Sequence, residues 1–236
     1  MDIVLVPGFW LDASSWDEVT PALVEAGHRV YSLTLPGLES VDAPRAGIGL
    51  RDHVDFVADR VRSLEGEVVL VGHSGGGAVI YGVTDLMPDR IARTIYVDSG
   101  PPTEGSPIND ELPEHGDEIP LPPWDAFQEA DLVDLDDTLR ERFRERAVPQ
   151  PKAVATDPTH LTDERRLDVP ATVVTCEFPT EQLRQAMAEG HPWFTELARL
   201  RQVEYVDLPT GHWPQFTKPA ELAAVMVDVL RRHAGQ

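Results

Sequence analysis

The chain has 236 residues, 42% of them hydrophobic and 7% aromatic, which suits one folded domain with a single core and rules out a disordered chain. A formal net charge of −21 with no Lys/Arg stripe argues against nucleic acid and anionic membrane surfaces as partners, and the many acids read as a solvated surface. No run approaches the roughly 18 apolar residues of a membrane helix, the opening MDIVLVPG lacks a basic leader, and the lone Cys176 sits in the apolar run ATVVTC, so the expectation is a cytoplasmic protein with a reduced, buried thiol.

Six short apolar runs predict strands over Ile3–Val6, Arg29–Leu33, Val68–Val71, Thr94–Val97, Thr172–Cys176 and Val203–Leu208. Most lack the alternation of a half-exposed strand, as expected when both sheet faces are covered. Helical patterns lie between them over Ser15–Ala26, Leu50–Leu64, Gly76–Met87 and Ala220–His233, with Gly or Pro stops after the first three. Strand-helix alternation predicts a doubly wound, parallel sheet of about six strands in a single α/β domain over residues 1–236. Because the chain opens directly on a strand, no antiparallel hairpin is expected ahead of it. Residues 100–168 break the rhythm with seven prolines between 101 and 123 and one polar helical stretch around Asp136–Arg146. They read as an insertion, either a separate, mostly helical cap over a pocket or a plain surface excursion.

The chemistry concentrates at three turns. In Val68-Val69-Leu70-Val71-Gly72-His73-Ser74-Gly75-Gly76 a buried strand runs through Gly-x-Ser-x-Gly into a helix. A nucleophile needs such a sharp turn, with small neighbours, for its hydroxyl to stand clear at the carboxyl end of the sheet. Ser74 is therefore the candidate nucleophile, and the Gly75 N–H at the helix start is a candidate oxyanion donor. The turn carries neither Gly-x-Gly-x-x-Gly nor the Lys-Ser/Thr of a phosphate loop, which argues against a nucleotide. After the first strand, Pro7-Gly8-Phe9-Trp10 can bring the Phe9 N–H to the same oxyanion, with Trp10 toward a pocket or simply plugging the core. Late in the chain, Pro209-Thr210-Gly211-His212-Trp213 follows the last strand, and His212 is the candidate general base. His73 is expected to turn its side chain away from Ser74, and the other histidines read as surface or helix positions. No His-Glu-x-x-His or Cys/His cluster calls for a metal, and no cofactor is expected. If His212 must be neutral to act, the rate should rise through an apparent pKa of about 6.5–7.

Two carboxylates compete for the triad. Glu177 lies in the loop after Thr172–Cys176, which contains no Asp, and Asp98 follows the preceding strand in Tyr96-Val97-Asp98-Ser99. Asp98 is favoured for its short side chain at the end of a buried strand, against a simple turn-forming role. Glu177 is the alternative, against a solvated loop charge or a pocket residue that recognises substrate.

LVPGFW, GHSGGG and PTGHWPQF, in this order and spacing, resemble the α/β-hydrolase superfamily across essentially the whole chain. The small-cap branch with plant methylesterases and hydroxynitrile lyases looks most similar, together with actinobacterial members known only as hydrolases. The resemblance implies an esterase with a Ser, acid, His triad. The lyases of that branch carry a threonine in the first loop and a lysine after the catalytic histidine, where this chain has Gly8 and Trp213, so cyanohydrin cleavage is disfavoured. Three readings follow: a serine hydrolase of a small, fairly apolar ester, a ligand-binding module that keeps the triad, and a lyase using His212 without acylation. The substrate would be set by the cap with Phe9, Trp10, Trp124 and Trp213. The expected partner is a small molecule, and a homodimer is compatible with the sequence.

Overall fold

The computed structural model describes residues 1–233. In chain order the elements are β1 (Asp2–Val6), α1 (Thr20–Glu25), β2 (Arg29–Ser32), α2 (Leu50–Arg62), β3 (Val68–His73), α3 (Gly75–Leu86), β4 (Ile91–Val97), β5 (Glu118–Ile119), α4 (Asp137–Arg146), β6 (Gln150–Pro151), α5 (Lys152–Thr156), β7 (Ala171–Thr175), α6 (Thr180–Ala188), β8 (Val203–Asp207), α7 (Pro214–Thr217) and α8 (Pro219–His233). Six strands form one parallel sheet in the order β2-β1-β3-β4-β7-β8, as the alternating pattern implies. Every residue of β1, β3 and β7 is buried, which explains why these strands read as continuous apolar runs.

Alternate residues of each strand feed opposite cores. Val4, Val6, Val68 and Leu70 pack with Val54, Val57, Val61, Val79 and Val83 of α2 and α3. Ile3, Leu5, Val69 and Val71 pack on the other face with Trp16, Leu23, Leu222, Met226 and Leu230. The helix expected over Ser15–Ala26 is instead a 3-10 turn at Ala13–Trp16 followed by α1. Pro21 is the cause: in a continuous helix it would lack an N–H and clash with the preceding turn, whereas at the start of α1 it costs nothing. Among the described residues no helix is long and apolar enough to cross a membrane.

Residues 100–168 hold α4, α5, 3-10 turns and a two-stranded antiparallel ribbon of β5 and β6, with much irregular chain, rather than a mostly helical unit. Prolines at 101, 102, 107, 113, 120, 122 and 123 remove the N–H groups that longer helices would need. The segment is laced to the loops at the carboxyl end of the sheet. Trp10 Nε1 donates to Ile119 O (3.0 Å), Val148 N to Trp10 O (3.0 Å), Gly211 N to Val133 O (3.0 Å) and His212 N to Asp131 O (2.8 Å).

Its return to the sheet is anchored on α3 by buried charge. Glu196 Oε1 accepts from Tyr81 Oη (2.6 Å) and Arg166 Nη2 (2.7 Å), and Asp85 accepts from the Thr162 and Asp163 amides at 2.9 and 2.8 Å. The Arg166, Asp85 and Glu196 side chains are all buried. Removing one partner strands the others away from water, so Glu196→Ala is expected to cost about 3–5 kcal/mol. Arg199, whose guanidinium is partly exposed, pairs with the same carboxylate, and Arg199→Ala should cost less than about 1 kcal/mol. Urea denaturation of the two variants checks this ranking, and equal losses would refute it.

Candidate active site

The strand-to-helix turn after β3 places Ser74 at φ 50°, a left-handed conformation a serine adopts only when its surroundings impose it. Gly76 makes the turn feasible, since a Cβ there would meet the carbonyl oxygens of Pro7 and Val6 at 2.6 and 2.7 Å. The loop after β1 comes equally close. A Cβ on Gly8 would lie 2.6 Å from His73 Nδ1 and 2.9 Å from the Ser74 Cβ, so only glycine lets this loop lie against Ser74. Trp10 and Asp98 also have left-handed φ, at 63° and 43°. Three of the four non-glycine residues in that region, among those described, thus belong to predicted site positions.

The separated sequence signals converge into a relay. The Ser74 hydroxyl is hydrogen-bonded to His212 Nε2 (2.8 Å), and His212 Nδ1–H donates to Asp98 Oδ2 (2.7 Å). Asp98 Oδ1 accepts the Cys176 N–H (2.9 Å) and, more weakly, the Glu177 N–H (3.4 Å), which fixes the carboxylate. Glu177 is also present: its Oε1 lies 2.8 Å from the same Nδ1. Burial works against charging the His212 ring, but the hydrogen bonds and charges of Asp98 and Glu177 outweigh it and push its pKa up to about 10. The ring is therefore more strongly held in its charged form than the ordinary histidine assumed from sequence.

The backbone N–H groups of Phe9 and Gly75 have no hydrogen-bond partner among the described residues. The two residues lie side by side next to Ser74, the Phe9 ring coming within 2.5 Å of where a Gly75 Cβ would stand. Ser99 Oγ donates to Ser74 O (2.6 Å) and steadies the turn. Asp98, Glu177 and His212 also bring three donor atoms within 4.8 Å of one another. A cation there would displace the Nδ1 proton and dismantle the relay, so the donor set fits proton transfer better than metal chemistry.

The aromatic positions divide. Trp213 is only 1% exposed and touches Trp124, Phe127, Phe143 and the His212 ring edge-on, so it is a packing hub beneath residues 100–168 rather than a wall that substrate meets. Trp10 is likewise buried, tied to Ile119 and against Phe127. Trp124 stays partly exposed, with the Arg144 guanidinium 5.0 Å over its ring. A cavity of about 130 Å³ lies behind this cluster, between Leu11, Leu139, Phe143, Phe216 and the Arg146 side chain, and Ser74 does not line it.

His73, expected to face away from the nucleophile, has both ring nitrogens engaged elsewhere. Its Nε2–H donates to the carbonyl of His212 (2.7 Å), and Gln215 Nε2 donates to Nδ1 (3.2 Å). Burial, with the neighbouring His212 charge, holds its pKa down at about 3, so the ring stays neutral and serves as a fixed strut between the Ser74 turn and the His212 loop. The residue before Ser74 was visible in the motif, but nothing local marks Gln215 or the Asp131 and Val133 carbonyls that hold the same loop.

The architecture and the chemistry agree with what the chain resembles by comparison. A family model described as "Alpha/beta hydrolase family" matches residues 3–225. The chain belongs to the α/β-hydrolase family. This family member is 27% identical to a pyrethroid hydrolase of Sphingobium wenxiniae over 96% of its own length and 86% of that protein. It is 33% identical to a carbendazim-hydrolysing esterase of Nocardioides, over 48% of this chain and 47% of the relative, so that match spans about half of each protein. Among solved structures, an extracellular α/β-hydrolase from a Paenibacillus species superposes with a TM-score of 0.77 at 23% identity, covering 97% of this chain and 98% of that one, which supports the fold.

Proposed function

We propose that this α/β-hydrolase cleaves a carboxylic ester of a small, fairly apolar molecule through an acyl-enzyme on Ser74. The observation that carries the reading is the Ser74–His212–Asp98 relay, with links of 2.8 and 2.7 Å, beside Phe9 and Gly75, whose backbone N–H groups are unpaired among the described residues. The esterase and pyrethroid hydrolase relatives support the ester as the bond cleaved. A net charge of −21 and the carboxylates around His212 disfavour an anionic substrate.

In this mechanism Ser74 Oγ attacks the carbonyl carbon as its proton passes to His212 Nε2. The new oxyanion is held by the Phe9 and Gly75 N–H groups, and Asp98 stabilises the imidazolium. Collapse of the tetrahedral intermediate breaks the C–O bond, and the alcohol leaves with the proton from Nε2. Water then attacks the acyl group, gives a proton to His212, and the carboxylic acid departs with Ser74 restored. His212 must be neutral at the start of each half, and its raised pKa places that form on the alkaline side. With nitrophenyl acetate, kcat/KM is therefore expected to climb steadily from pH 7 to beyond pH 9, after a burst of nitrophenol at high enzyme concentration. A profile already flat at pH 7 would contradict both the held charge and the role of His212.

A further inference from the structure

Asp98 alone suffices to orient His212, because one Nδ1–H fully serves one oxygen, and Asp98 Oδ2 takes it at 2.7 Å. Glu177 Oε1 nevertheless lies 2.8 Å from that nitrogen, reaching in from the loop after β7. A second anion at this distance adds nothing to tautomer selection; it acts on charge. Behind it stands Asp131 of the inserted segment, whose carbonyl accepts His212 N at 2.8 Å. Burial, then the Glu177 charge, holds the Asp131 carboxyl above its ordinary range.

We propose that the Glu177 carboxylate on Nδ1, with the Asp131 carboxyl behind it, sets the pH at which His212 becomes available as a base. The inference rests on the reading of His212 as the base for Ser74. Other groups near the ring do not offset these two acids. His73 is neutral, the Cys176 thiol is pushed up by burial and by the Asp98 and Glu177 charges, and Lys218 Nζ is engaged by Pro209 O at 2.7 Å and Asp134 at 3.6 Å. Glu177 is thus a positioning residue of electrostatic kind, and its cost at neutral pH is offset by extra stabilisation of the imidazolium that forms during acylation.

The sign is set by charge: deleting a neighbouring anion lowers the imidazole pKa and moves the onset of activity toward neutral pH. Two readouts on wild type, Glu177→Gln and Asp131→Asn test this, namely the His212 ring titration by NMR and the pH profile of kcat/KM for nitrophenyl acetate. Glu177→Gln should lower both midpoints by about one to two pH units, and Asp131→Asn should lower them by less. Midpoints unchanged in both variants would overturn the proposal, and Asp131→Asn keeps it testable should Glu177→Gln fail to fold. An NMR midpoint that falls while the rate profile stays put would support the effect of the two carboxyls on the ring and contradict instead the use of His212 as base.

Discussion

Ser74→Ala is expected to lower nitrophenyl ester hydrolysis by about 10⁴-fold or more while leaving the urea midpoint nearly unchanged. The side chain is only partly buried, and its hydroxyl makes one hydrogen bond, to His212 Nε2. Its loss costs little packing. The chemistry loses its nucleophile entirely, and what remains is water attack assisted by the Phe9 and Gly75 N–H groups. Because triad members act as a unit, Ser74→Ala and the Ser74→Ala/His212→Ala double variant should show similar residual rates. A Ser74→Ala enzyme within tenfold of wild type would mean that the bond is broken by another group.

The second large effect concerns the acid. Asp98→Asn should reduce the plateau rate by about 10²-fold, short of the roughly 10⁴-fold loss expected when a triad has no substitute carboxylate. The shortfall has a physical source: Glu177 Oε1, 2.8 Å from Nδ1, can accept the proton when a carboxamide replaces the Asp98 carboxylate. Glu177→Gln alone should change the plateau by less than about tenfold, since the shorter bond to Asp98 remains. Combining both substitutions should exceed the product of the two single effects, because each residue covers for the other. Plateau rates at high pH, with acetate and butyrate nitrophenyl esters, measure these differences. Glu177→Gln more damaging than Asp98→Asn would reverse the assignment.

The sheet was legible in the sequence because β1, β3 and β7 are buried throughout and their apolar runs admit no other setting in a chain of this kind. The Ser74 and His212 turns were legible for a related reason: a strained turn against a neighbouring loop demands glycines, and Gly8, Gly76 and Gly211 mark it in the chain itself. The break at Pro21 was in the sequence too, although the apolar periodicity around it suggested a longer helix. α6 was missed because it buries only Leu183 and so carries little apolar pattern. Trp213 looked like a pocket residue because local sequence cannot tell a wall from a hub, and that distinction depends on Trp124, Phe127 and Phe143 arriving from residues 100–168. The two carboxylates were both named from their strand ends. Their meeting on a single nitrogen is tertiary, set by the register of β4 against β7 and by the reach of Glu177.

Acylation of Ser74 with His212 as its base can be read out directly from the protein. A fluorophosphonate probe reacted with the intact protein at pH 9, followed by digestion and mass spectrometry, locates the covalent adduct on a peptide. A single adduct on Ser74 is expected, formed several orders of magnitude more slowly in His212→Ala. An unlabelled protein, or an adduct on any other serine, would contradict it.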